Sequence, residues 1–255
     1  MKNSVKQSVR MPIVVMPLLP LILPKSRLLC AELVDEMKSD PKQVLNIIAC
    51  GALANELVAL KTLNQWDHFN IDCLPAKYHS TPALIPDAVR EKITQIRTHN
   101  DGEILVAYGD CGTGGLLDVV LEETGTSRLP GAHCYQFFTG HDAFNDLHEA
   151  EIGTFYLTDF LTQHFETYVW KMLGLDRKPE LLEMYFGNYK KLIYLAQTDN
   201  PELDQKAEES ASRLGLAYER IFTGYGEMED ELNKISNQVI NIENLTLNTS
   251  LEKTA

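Results

Sequence analysis

Ile104-Leu105-Val106-Ala107-Tyr108 runs directly into Gly109-Asp110-Cys111-Gly112-Thr113-Gly114-Gly115, and Leu116-Leu117-Asp118-Val119-Val120-Leu121 follows. Five apolar residues stopped by glycine read as a buried strand, and the stretch beyond the glycines carries apolar residues at helical spacing. A strand that turns tightly into a helix is the repeating half of a βαβ unit. Working outward, the same unit recurs. Leu45–Ala49 reads as a strand, Cys50-Gly51 as its turn and Asn55–Leu63 as a helix; Phe69–Leu74 is a strand, Pro75–Pro86 a loop and Asp87 to about His99 a helix. Ile104–Tyr108 leads to a helix from Leu116 to about Glu123, and Arg128–Phe138 reads as a further extended stretch. The rhythm resumes with a strand at Lys191–Leu195, a helix at Glu202–Leu214, a strand at Ala217–Phe222 and an acidic helix after Gly226. The expected fold class is α/β: a mostly parallel, Rossmann-like sheet with helices on both faces.

Three segments stand apart from that rhythm. Residues 143–188 are acidic and aromatic, and with Thr158–Leu173 read as one helix they are expected to form an inserted helical region. Residues 236–255 are rich in Asn and Thr and read as a frayed tail. Residues 1–43 read as a poorly ordered leader, in which Lys2, Lys6, Arg10, Lys25 and Arg27 face no acid among the first 30 residues. Its apolar run Met11–Leu23 imitates a signal peptide, but Pro12, Pro17, Pro20 and Pro24 break helix and no small-residue cleavage site follows. The working domain is therefore expected over 44–235.

With 44% hydrophobic and 23% charged residues in 255, the chain can bury a sizeable core. Its net charge of −13 repels a polyphosphate backbone, which excludes nucleic acid as a first expectation. No apolar run approaches the ~20 residues of a membrane span. Five cysteines are an odd number in a chain long enough to fold without staples, so reduced thiols and a cytoplasmic location are expected.

Parallel strands bring their carboxyl ends to one edge, where α/β proteins bind ligands. Cys50, Cys111 and Cys134 each fall at or past such an end, and His79 lies in the loop after another. Three thiols and an imidazole suit zinc, or an iron–sulfur cluster with one unusual ligand. Cys134 is preferred over its neighbour His133, because adjacent residues on a strand face opposite ways. Cys73 lies inside an apolar strand and reads as core, and Cys30 lies in the leader. Gly112, Thr113, Gly114 and Gly115 form a backbone concavity at a helix N-terminus that can cradle an anion, although the Lys-Ser/Thr pair of a P-loop is absent. The same helix end favours a thiolate, so Cys111 reads as either ligand or nucleophile. Asp110, ahead of Asp118, Asp159 and Asp176, is the candidate proton acceptor. Gln197-Thr198-Asp199 can supply polar contacts at the same edge.

Cys50-Gly51-Ala52-Leu53, Ala107–Gly115, Gly131-Ala132-His133-Cys134-Tyr135, Gly153–Phe160, Gly174-Leu175-Asp176 and Tyr185-Phe186-Gly187-Asn188-Tyr189 together resemble a bacterial and archaeal family catalogued as domain of unknown function 1638. The resemblance covers about residues 45–230. Members of that family are often encoded near corrinoid-dependent methyltransferase systems, which implies a setting in one-carbon transfer, with a corrinoid protein or methyltransferase as partner. Three functions are therefore expected in order: a metal-thiolate enzyme acting on a small molecule; a metal-free enzyme with Cys111 as nucleophile and His79 or His133 as base; and a non-enzymatic corrinoid- or nucleotide-binding module.

Overall fold

The structure is a computed structural model that describes residues 44–99 and 102–252, with side chains described through Val239. In chain order the elements are β1 (Leu45–Cys50), α1 (Ala54–Leu63), β2 (Phe69–Leu74), α2 (Ile85–Arg97), β3 (Glu103–Ala107), α3 (Leu116–Thr124), β4 (Ser127–Arg128), α4 (Tyr135–Thr139), α5 (His141–Ala150), β5 (Thr154–Leu157), α6 (Asp159–Gln163), α7 (Leu181–Phe186), β6 (Lys191–Ala196), α8 (Pro201–Leu214), β7 (Ala217–Phe222) and α9 (Gly226–Glu252). The fold is α/β with parallel strands throughout. It departs from the expected single sheet: a four-stranded sheet of order β2-β1-β3-β4 and a three-stranded sheet of order β5-β6-β7 share the strands.

Alternation along each strand explains the layers. Leu45, Ile47 and Ala49 of β1 face Leu53, Leu57 and Leu60 at the start and along α1, and Met228 and Leu232 of α9 close the same side. Ile48, with Val106 and Tyr108 from β3 and its end, faces Ile85, Val89 and Ile93 of α2 and Leu117 and Leu121 of α3. Strands covered on both faces lose their polar alternation, and β1 is buried throughout except at Cys50. The second sheet repeats the arrangement: Leu192, Tyr194 and Ala196 pack against Leu161, Leu203, Ala207 and Ala211, while Ile193 and Leu195 pack against Tyr156 and Phe144.

The expected helical insert is corrected by β5, whose Thr154–Leu157 pair in register with Lys191–Tyr194. The expected helix from Thr158 to Leu173 is interrupted: α6 ends at Gln163 and a π-turn follows over Glu166–Trp170. Arg128–Phe138 is not one extended stretch, because the regular strand β4 ends at Arg128 and α4 begins at Tyr135. At the C-terminus α9 runs on to Glu252 through the Asn- and Thr-rich segment read as a tail. The leader expected over 1–43 lies outside the described residues.

Candidate functional site

Strand order places the site. The chain leaves β1 for β2 on one side and returns to β3 on the other, so the connections after β1 and β3 diverge and leave a crevice between their carboxyl ends. Cys50 ends β1, and Tyr108 to Cys111 follow β3. Two close backbone approaches shape this edge. A Cβ on Gly51 would stand 2.9 Å from the Leu74 carbonyl oxygen, and one on Gly109 would stand 3.0 Å from the His133 amide nitrogen. The ladder between β3 and the segment after β4 continues past the regular strands: Leu129 N–H donates to the Val106 carbonyl (3.0 Å), Asp110 N–H to Gly131 (3.2 Å) and Cys111 N–H to Ala132 (2.8 Å). Arg128 holds that segment from its side chain, with Nη1 donating to the Gly131 carbonyl at 2.9 Å and Nε to Asp118 Oδ1 at 2.6 Å. Cys134 is thereby carried to the Cys111 turn by a loop, not by the strand that the sequence suggested.

Cys50, Cys111 and Cys134 are all half-buried free thiols; Cys50 and Cys134 pack against the core under α1 and α9, and Cys50 and Cys111 against the core under α2 and α3. Burial raises the Cys50 thiol, opposed by the nearby Ala52 backbone and Tyr108 hydroxyl. The Tyr108 hydroxyl is buried and has no hydrogen-bond partner among the described residues. Burial and then Cys50 push Cys111 up to about 11, and burial, Cys111 and Cys50 raise Cys134 further. Each thiol therefore keeps its proton at neutral pH unless a cation enters the cluster. Cys73 is exposed, contrary to its reading as core, because β2 is an edge strand of the four-stranded sheet. His79 follows β2 in a short 3-10 turn, where burial of its ring and then the neighbouring His133 lower its pKa. Among the described residues no three His, Cys, Asp or Glu side chains stand arranged as a metal-ion site.

The glycine-rich turn is already filled. Asp110 Oδ1 accepts hydrogen bonds from Gly115 N–H (2.8 Å) and Thr113 Oγ1 (2.7 Å), and Oδ2 accepts from Gly114 N–H (3.2 Å). Gly112, Thr113, Gly114 and Gly115 thus cradle an anion, but it is the chain's own carboxylate. Burial works to raise the Asp110 carboxyl, and these donors outweigh it and hold the group below its ordinary value. A carboxylate tied in this way has three of its about four acceptor positions occupied and is a poor proton acceptor for a substrate, and its charge also raises Cys111. The expected thiolate at a helix N-terminus is therefore reversed here. Cys111 sits at φ +49, a left-handed conformation uncommon for a residue with a Cβ and imposed by the bonds on either side of it.

A second group lies beside the thiols. In the first turn of α1, Glu56 is only 5% exposed, and its Oε2 has no hydrogen-bond partner among the described residues. Burial, opposed by its own backbone N–H and reinforced by Asp159, raises its carboxyl to about 7. Asp159, after β5, is buried and saturated: Oδ1 accepts from Tyr194 Oη (2.7 Å) and Gln197 N–H (2.9 Å), Oδ2 from Thr198 N–H (3.0 Å) and Oγ1 (2.6 Å). Both carboxylates line a cavity of about 360 Å³ with Phe160, His164 and Tyr225. The charge on Glu56 also reaches Cys134.

The profile of a family described as "Protein of unknown function (DUF1638)" matches residues 73–232, more than half of the chain. The chain belongs to this family. No curated protein and no solved structure matches it. In this DUF1638 protein the matched segment holds His79, Asp110, Cys111, Cys134 and Asp159, whereas Cys50 and Glu56 precede it, so the match is shorter at its start than the resemblance over about 45–230 implied. Glu56 was missed in the sequence. Its signal is a carboxylate three residues after Leu53 and four before Leu60, on the stripe that α1 buries.

Proposed function

We propose that this DUF1638 protein is a cytoplasmic metal-thiolate protein, whose Cys50, Cys111 and Cys134 hold zinc or an iron–sulfur cluster beside a small-molecule pocket. One observation carries the reading. Cys50 at the end of β1, Cys111 in the turn after β3 and Cys134 in the segment after β4 each follow a strand's carboxyl end beside the crevice where strand order reverses, the position at which this fold class takes ligands. Thiolates are the donors that zinc and iron–sulfur centres select. Binding a cation there would require the thiols to lose their protons. His79 is the fourth candidate ligand, joining the set if its loop moves away from His133.

Such a centre supplies Lewis acidity or a stabilised thiolate, which suits transfer of a methyl or related group. The family setting favours one-carbon chemistry with a corrinoid protein or methyltransferase as partner. The raised Cys111 thiol counts against the nucleophile reading, and the Asp110 carboxylate on the amides of the glycine turn counts against an anion cradle there. The test is elemental analysis and an absorption spectrum of protein purified with and without oxygen. We expect zinc or iron near one centre per chain and its loss in Cys111→Ser. A parent protein with neither metal, and a variant unchanged in metal content, overturn the proposal.

A further inference from the structure

Buried polar atoms in folded proteins nearly always find a partner, and a carboxylate oxygen without one carries a large desolvation cost. Glu56 Oε2 is such an atom, and its side chain lines the cavity between the start of α1 and the loops after β5, β6 and β7. Asp159 forms the facing wall, but all four of its acceptor positions are taken by Tyr194, Gln197 and Thr198. It therefore contributes negative charge without a free lone pair, and Glu56 contributes a free lone pair as well as charge. No Lys or Arg lines the cavity, whereas Phe160, His164 and Tyr225 bring aromatic surface of the kind that attracts cations.

We propose that this cavity binds a small organic ammonium compound, with an N–H of the ligand donating to Glu56 Oε2 and its cationic centre held against Asp159 and the aromatic wall. A bare metal ion fits less well. It needs several free oxygen donors at short range, and the Asp159 oxygens are all taken, which leaves Glu56 as the one carboxylate of the pair with an oxygen to give. At about 360 Å³ the space lies within the range of small-molecule sites.

Because the Glu56 carboxyl titrates near 7, an ammonium ligand displaces its proton and binds more tightly as pH rises. The groups that feel Glu56 are Asp159, Cys134 and Tyr225. Cys134 and Tyr225 are both raised and uncharged at neutral pH, and His164 lines the cavity against the ring of Phe160. The inference rests on the cavity and not on the thiol cluster, so the two readings fail separately.

The probe is cyclohexylammonium, with cyclohexanol and cyclohexanecarboxylate as neutral and anionic matches, titrated into the full chain by calorimetry at constant ionic strength. We expect binding by the ammonium compound alone, about tenfold weaker at pH 6 than at pH 8 as Glu56 is protonated. Glu56→Gln should weaken it at least about tenfold and abolish the pH dependence, with its metal content equal to the parent's. Equal binding of cyclohexanol, no binding of the ammonium compound at pH 8, or a pH dependence that persists in Glu56→Gln overturns the proposal. Phe160→Ala, which leaves both carboxylates in place, is expected to weaken the ammonium compound while keeping its pH dependence, and unchanged affinity in that variant refutes the aromatic wall.

Discussion

Replacing Glu56 by Gln should make the protein more stable, and only above mildly acidic pH. The native carboxyl is raised from 4.5 to about 7, so between those values the folded state binds a proton that the unfolded state has released. Stability then falls as pH rises through that window and stays low above it. A difference of about 2.5 units at 1.36 kcal/mol each is about 3 kcal/mol, and Glu56 is 5% exposed, so solvent screening takes little from it. Glutamine keeps the acceptor that meets the Glu56 backbone N–H and carries no charge at any pH. At pH 8 the variant should melt higher by roughly 6–12 °C for a chain of this size, and at pH 4.5 the two should nearly coincide. Differential scanning calorimetry across pH 4.5–8 gives the difference directly. A gap that is constant with pH, or a variant less stable at pH 8, would refute the argument that burial of an unpartnered carboxylate sets the titration.

Removing the Asp110 carboxylate should cost about 1–2 kcal/mol at pH 7, because Gly114, Gly115 and Thr113 lose their acceptor; urea unfolding of Asp110→Ala measures it. The native group is held below its ordinary 3.8, so its contribution is present above that pH and the gap between parent and variant should close as pH falls through the native value. Gly109→Ala should destabilise by about 1–3 kcal/mol, since its Cβ would push against the backbone of Ala132 and His133, and an unchanged denaturation midpoint would remove that contact from the account. Alkylation of metal-free protein should mark the exposed Cys73 first, while Cys111, about one part in a thousand ionised at pH 8, should react about tenfold faster with each pH unit up to about 10. A Cys111 rate that levels off near pH 7 would restore it as an activated nucleophile.

Where local chemistry alone bounds an element, the sequence was sufficient. Phe69–Leu74 and Ala217–Phe222 form over the residues expected, each being a short apolar or alternating run between turn residues. β5 was lost because four residues, Thr154-Phe155-Tyr156-Leu157, are too few to separate strand from helix by period, and only pairing with β6 decides it. The Asn- and Thr-rich end of α9 was lost for the opposite reason. Composition pointed to a tail, while Met228, Leu232, Ile235 and Val239 keep helical spacing against the four-stranded sheet.

The site divides along the same line. The placement of Cys50 and Cys111 at the carboxyl ends of β1 and β3 was legible because it follows from strand direction, which repeated βα units imply, whereas Cys134 follows a two-residue strand and a loop that the sequence did not show. What each group can do there was not legible, because it depends on which donors and acceptors are already spent. Asp110 stands in the sequence as a free acid before a glycine turn, and in the fold it fills that turn. Glu56 stands as an ordinary surface acid in the first turn of a helix, and in the fold its neighbours Leu57 and Leu60 carry it inward to face a second carboxylate. The group with a satisfied partner is structural and the group left without one is the better candidate for contact with a ligand, because only the second gains an interaction on binding that the folded chain has not already made.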